Sequence, residues 1–342
     1  MITPVLRTPR SSRVRLAVTA HVLVAAALLT GCGDSGDEGK SSGLRIGVAP
    51  NAVLDAVTAG LRTDSELKTE AGKVSFSALR TPDEMRTQLT SGSVDVLTLP
   101  SNIAANLHSR GVDVRILGVL DGPVDVLVGP ADAGTTWESL RGKTVHIAFK
   151  GDVNDVLFRS LAEQNGLTPG EDVTVVNHPG LPDLLTAVGA GKADYALLPE
   201  HQASLASARA KSAGKPKKPV LTLGAEWKKK TGRETLPTYA IGVRGKYADA
   251  NPEVVRTLHQ ALARSTQNAV SRAGDIAPGV AERTGAPQPL ITGLLGRLDP
   301  AYRTAKDVKG ELTALFQELA AASPALLGGK VPGAELYVTE GS

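Results

Sequence analysis

Gly92-Ser93-Val94-Asp95-Val96-Leu97-Thr98-Leu99-Pro100-Ser101-Asn102-Ile103-Ala104 returns 99 residues later as Gly191-Lys192-Ala193-Asp194-Tyr195-Ala196-Leu197-Leu198-Pro199-Glu200-His201-Gln202-Ala203, with Gly, Asp, Leu, Pro and Ala in step. Each copy reads as a helix end (Met85, Leu89; Leu184, Leu185, Val188), a glycine stop, a short buried strand and a new helix. Proline closes each strand because it lacks a ladder donor, and it suits the first turn of the helix that follows. A period this long is not that of a solenoid, whose repeats run about 20 to 50 residues. Two strand-to-helix turns, one per half, predict two α/β lobes. Sites in open α/β sheets form beyond the carboxyl ends of strands, so the two turns are expected to face each other across a cleft.

Outward from the repeat, the N-terminal residues 1–31 carry Arg7, Arg10, Arg13 and Arg15, no acid, and the apolar run Leu16 to Leu29. This is the pattern of a secretory signal, too short for a spanning helix of about 20 apolar residues. Leu29-Thr30-Gly31-Cys32 holds the only cysteine and resembles a bacterial lipobox, which implies lipidation at Cys32 and leaves no intrachain disulfide. Residues 33–42 are Gly, Ser and acid rich, a flexible tether. Without the leader, Lys plus Arg falls from 38 to 34 against 35 acids. The basic balance therefore belongs to the leader, and nothing asks for nucleic acid.

Folding is expected to start at Leu44, with a strand over 44–49, a helix face of Val53, Leu54, Val57 and Leu61, a strand over 73–79 and a helix opened by Thr81-Pro82-Asp83-Glu84. After the first repeat comes a strand over 112–120. The second lobe has a strand over 144–149, a helix over 152–165, a strand over 173–176 and a helix to Val188, before the second repeat. Val124–Pro130 and Thr238–Arg244 read as the crossings between lobes. Lys211–Pro219 reads as a solvated loop, and Asn251-Pro252-Glu253 as the cap of a helix to about Ser271. The remainder reads as helical, with a Gly- and Pro-rich tail from Ala320 that wraps the first lobe.

Taken in order, Leu44–Pro50, Ser91–Asp95, Ser139–Val145, Gly191–Glu200 and Arg244 through Asn251–Val255 resemble the substrate-binding lipoproteins of ABC importers, in the nitrate/sulfonate/taurine and thiamine-precursor group. The resemblance spans nearly all of 44–338. It implies an α/β, two-lobed type II periplasmic binding protein fold: two mostly parallel sheets flanked by helices, with a two-segment hinge. The division is then a leader (1–31), a lipidated tether (32–43), a first lobe (44–125, completed by 241–342) and a second lobe (126–240). It also implies a ligand between the lobes, met after the first strand by Pro50 and Asn51 and after the first repeat by Pro100, Ser101 and Asn102. The long helix of the second lobe contributes Lys150, Gly151, Asp152, Val153 and Asn154 at its start, and the second repeat contributes Glu200 and His201. The implied partners are a small molecule and a permease–ATPase complex, reached from an extracytoplasmic, lipid-anchored monomer.

The residues qualify that picture. Helix N-termini suit anions, and Ser101 and Asn102 fit that chemistry. Asp152 instead occupies its own cap, and Glu200 is an early helical acid that stabilises the dipole unaided. If both acids face the cleft with Lys150, a zwitterion, a cation or a neutral hydrogen-bonding molecule is preferred over a simple oxyanion. No catalytic residues, metal or cofactor are expected. The histidines lack metal spacing, there is no Gly-x-Ser-x-Gly elbow, and Gly189-Ala190-Gly191-Lys192 lacks the flanking residues of a phosphate loop. Two rival readings remain: an enzyme of pyrimidine or quinone precursor synthesis on the same fold, which needs reactive His or Cys, and a ligand-sensing lipoprotein without transport.

Overall fold

The computed structural model describes residues 43–122 and 125–338. The expected leader, Cys32 and the tether up to Ser42 lie outside the described residues, as does Val124 of the expected first crossing. Among the described residues no helix is long and apolar enough to cross a membrane.

The first sheet contains β1 (Leu44–Val48), β2 (Val74–Ala78), β3 (Val96–Pro100), β4 (Val114–Asp121), β10 (Tyr239–Arg244) and β11 (Ala301–Thr304), in the order β11-β4-β10-β3-β1-β2. The second contains β5 (Asp125–Pro130), β6 (Thr144–Ala148), β7 (Thr174–His178), β8 (Tyr195–Pro199) and β9 (Lys217–Thr222), in the order β7-β6-β8-β5-β9. β1 pairs parallel with β2 and β3, and β6 with β7 and β8. β10 and β5, the first strands after each passage between sheets, are inserted antiparallel beside β3 and β8. The segments expected as crossings are thus strands inside the sheets, because their apolar runs are long enough to complete a ladder. The passages lie between Asp121 and Asp125 and between Thr231 and Tyr239.

Helices flank both sheets. α1 (Ala52–Thr58), α2 (Ser65–Ala71), α3 (Pro82–Thr90) and α4 (Ser101–Ser109) follow the first strands; α5 (Val153–Gln164), α6 (Leu181–Gly189), α7 (Glu200–Ser212) and α8 (Leu223–Thr231) belong to the second half; α9 (Gly245–Ala250), α10 (Pro252–Ser271), α11 (Ala273–Thr284), α12 (Gln288–Leu298) and α13 (Lys309–Ala322) close the chain. α3 starts where expected: Thr81 accepts from the Glu84 amide at 3.1 Å, and Glu84 accepts from the Arg80 amide at 2.7 Å. α10 buries Val254, Val255, Leu258, Ala261 and Leu262 on one face against β1, β10 and α1. Each fully buried Leu or Val there contributes about 1.5–3 kcal/mol. Asn251 stands at the N-cap of α10 but its side chain makes no capping bond; its side-chain amide donates to the Tyr247 carbonyl at 3.0 Å.

Lys217–Thr222 is strand rather than solvated loop. It forms the sheet edge beside β5, where Pro219 sits at a register shift and its missing donor costs no ladder bond. β11 is a second unexpected strand, a short polar edge paired with β4. The tail packs on the first lobe, where the Val338 amide donates to the Ile116 carbonyl and Asn106 donates to the Ala325 carbonyl. One hydrophobic core runs through both lobes, joining Leu97 and Leu99 to Leu157, Phe158 and Trp227, with Leu312 and Phe316 of α13 as part of it.

Candidate functional site

Pro100 ends β3 and Pro199 ends β8, and each is followed by a helix that begins at the next residue. The pairing register sets Tyr239 opposite Pro100 and Asp125 opposite Pro199. All four residues line one cavity of about 410 Å³. Ala49, Pro50, Leu79, Met85, Asn102 and Ile103 enter it from the first lobe; Ile147, Phe149, Asp152, Asn154, Leu181 and Leu197 enter from the second. A larger groove of about 730 Å³ is lined by second-lobe residues alone, between α6 and α7, and so cannot report on both lobes.

Two carboxylates face the cavity. Asp125, at the start of β5, is only 8 % exposed, and its Oδ2 has no hydrogen-bond partner among the described residues. Burial and then the neighbouring charge of Asp152 push its pKa up to about 7. Asp152 caps α5 by accepting from the Val153 amide at 2.8 Å, yet burial holds its own pKa above the usual carboxylate range, with Asp155 adding to the shift. The Tyr239 hydroxyl is pushed up by burial and by both acids. Phe149 is half exposed and has φ 58°, a left-handed conformation uncommon for an aromatic residue. Gly151, with φ 76°, completes the turn, and its amide donates to buried Asp155 at 2.8 Å.

Of the residues expected from sequence, Pro50, Pro100, Asn102, Asp152, Val153 and Asn154 line the cavity. Ser101 does not. Its hydroxyl donates to the Pro237 carbonyl at 2.5 Å and its amide to the Thr238 carbonyl at 2.9 Å, so the first amide of α4 is consumed within the fold. Asn51 also turns inward, accepting from the Val53 and Leu54 amides at 2.8 and 3.2 Å as the cap of α1. Its Nδ2 lies 3.4 Å from Nδ1 of His201 across the lobes, and burial lowers the His201 pKa to about 4. Lys150 and Gly151 are exposed outside the cavity lining. Glu200 points to α12 instead, 2.8 Å from Arg297 and 3.0 Å from the Ser204 hydroxyl.

Sequence reasoning missed Asp125, Phe149, Thr238 and Tyr239. Asp125 and Tyr239 were legible in one way only: each opens a strand inserted beside a repeat strand, which places it opposite a cleft proline. The repeat aspartates do not share a role. Asp95 is fully buried and receives Arg45 and Arg244, whereas Asp194 is exposed, near Lys217. Among the described residues no cluster of three or more His, Cys, Asp or Glu is gathered that could hold a metal.

Two α/β lobes, each closed by a proline-ended strand and sharing a cavity lined from both sides, define the two-lobed periplasmic-binding-protein class of fold. Within that class the chain belongs to the NMT1/THI5-like family, whose model matches residues 73–273. Among curated proteins no sequence match is found. The fold is similar to an ABC transporter from Parabacteroides distasonis at 17% identity and TM-score 0.71, covering 87% of this chain and 99% of that one. It is also similar to the alkanesulfonate-binding protein SsuA from Xanthomonas axonopodis pv. citri bound to MOPS, at 17% identity, TM-score 0.61 and coverage of 83% and 94%. The periplasmic nitrate-binding protein NrtA from Synechocystis PCC 6803 matches at 15% identity and TM-score 0.62, covering 84% of each chain.

Proposed function

We propose that this protein is an extracytoplasmic receptor, anchored through lipid on Cys32, that closes its lobes around a small organic ligand and presents it to an ABC importer. The supporting observation is the cavity that Pro100 and Pro199 share, since a ligand touching both lobes can stabilise a closed form only through contacts made in that form. Among the described residues the cavity lining contains no His, Cys, Ser or Lys, which favours binding over covalent chemistry. Membership of the family and the likeness of fold to sulfonate- and nitrate-binding proteins support the same reading. The two passages between the sheets, after Asp121 and between Thr231 and Tyr239, are the proposed hinge.

The test is a thermal-shift screen of small metabolites on the mature chain, followed by small-angle scattering with each hit. A ligand at 100 times its Kd stabilises by about 2.7 kcal/mol, and closure reduces the radius of gyration. Stabilising ligands that leave the radius unchanged sink the closure mechanism. Cys32→Ala in the native host should release the protein from the membrane fraction; retention there sinks the anchor.

A further inference from the structure

Three of the helix-start groups near this cavity are already engaged within the fold. Asn51 caps α1, Asp152 caps α5, and the Ser101 amide at the head of α4 donates to Thr238. The buried group left unpartnered at this cavity among the described residues has the opposite sign. The Asp125 carboxylate is buried with Oδ2 unpartnered among the described residues, and it lines the same cavity as Asp152. Arg80, exposed, is the one cationic side chain in that lining among the described residues. Around the acids stand apolar walls and the half-exposed ring of Phe149.

From this arrangement we infer that the ligand is an organic cation with an apolar or aromatic body, its charged N–H group held between Asp125 and Asp152 and its body against Phe149. A buried carboxylate with an unpartnered oxygen is destabilised until a donor arrives, and a cation supplies both donor and charge. The exposed aromatic face adds apolar and ring-packing contact with the ligand's body. This assignment rests on the receptor reading and departs from the nitrate and alkanesulfonate named for the structural neighbours.

The groups facing Asp125 are Asp152 on α5, Tyr239 on β10, and His201 and Glu200 on α7, with Glu200 tied to Arg297. With Asp125 near 7 in the free protein, a bound cation draws its proton off. Cation affinity therefore rises with pH, by about tenfold from pH 6 to 8.

The experiment is calorimetry of the mature chain at pH 6 and 8 with size-matched probes: benzamidinium and phenethylammonium, neutral benzamide, and benzenesulfonate. The expected result is binding of a cation that tightens about tenfold at the higher pH, weakens at least tenfold in Asp125→Asn and in Asp152→Asn, and loses its pH slope in Asp125→Asn. Binding of benzenesulfonate or benzamide in preference to both cations overturns the assignment, as does a cation affinity that falls with pH. Failure of both cations to bind overturns it too. Contraction of the molecule on binding an anion would leave the receptor reading standing while removing the cation; no probe or metabolite causing contraction removes both.

Discussion

Pro100 and Pro199 line one cavity although 99 residues separate them in the chain. The strands that return after each passage between lobes set Tyr239 against the first proline and Asp125 against the second. The mouth is therefore built twice by one rule, a proline-ended strand beside an antiparallel insert, but the inserts carry different chemistry. A phenol faces one side and an acid the other.

Asp125 makes the folded state sensitive to pH. Its folded pKa, about 7, lies above the ordinary value of 3.8, so its contribution to stability is intact below the unfolded pKa and is lost as pH rises through about 7. The shift is worth up to about 4 kcal/mol. Asp125→Asn should therefore be more stable than the wild type at pH 8 and differ little at pH 4, as read by urea unfolding of the ligand-free chain. An equal difference at both pH values would show that the carboxylate is not held protonated by its surroundings.

The repeated Gly-x-x-Asp motif should respond unequally to the same substitution. Asp95 accepts from Arg45 Nε at 2.8 Å, and its Oδ1 lies 2.7 and 2.8 Å from Arg45 and Arg244, tying β1, β3 and β10 together. Asp95→Ala leaves two guanidinium groups uncompensated and is expected to cost about 3 kcal/mol. Asp194→Ala, at an exposed position, should change stability by less than about 0.5 kcal/mol. Chemical denaturation of the two variants compares them directly, and comparable losses would refute the division of labour.

The alternation of apolar strand and amphipathic helix from Leu44 to Pro199 was legible because β1, β3, β4 and β8 are buried almost throughout and helix starts are marked by Asn51, Thr81, Asp152 or a proline. β9 and β11 were not, since edge strands need no continuous apolar run and tolerate Lys217, Pro219 and Arg303. At the cleft, local chemistry identified Asp152 as a cap. The inward turn of Ser101 toward Pro237 and of Glu200 toward Arg297 depends on segments 136 and 97 residues away, beyond what any local pattern encodes. The same holds for Asp125, whose importance comes from strand register.

Phe149 combines a left-handed backbone with a half-exposed ring at the cavity. Glycine relieves about 1 kcal/mol of strain there, and its greater freedom in the unfolded chain offsets much of that gain. Phe149→Gly should change unfolding stability by less than about 1 kcal/mol while weakening the preferred ligand at least tenfold in calorimetry. Unchanged affinity would show that the ring has no part in recognition.

Glu200 carries two readings from the sequence, a ligand contact implied by the family resemblance and an early helical acid that stabilises the dipole unaided. In the structure its carboxylate is bound by Arg297 at 2.8 Å and Ser204 at 3.0 Å, linking α7 to α12. Arg297 also donates to the Ser204 hydroxyl at 2.8 Å, so three side chains share one network between the halves. Because Arg297 is largely solvated, the pair contributes about 1 kcal/mol or less. Glu200→Gln should therefore leave ligand affinity within about twofold of wild type, and Arg297→Met should match it in a titration run side by side. The two effects should not add in the double variant, since either change alone opens the link. A loss of tenfold or more in Glu200→Gln but not in Arg297→Met would place the carboxylate on the ligand.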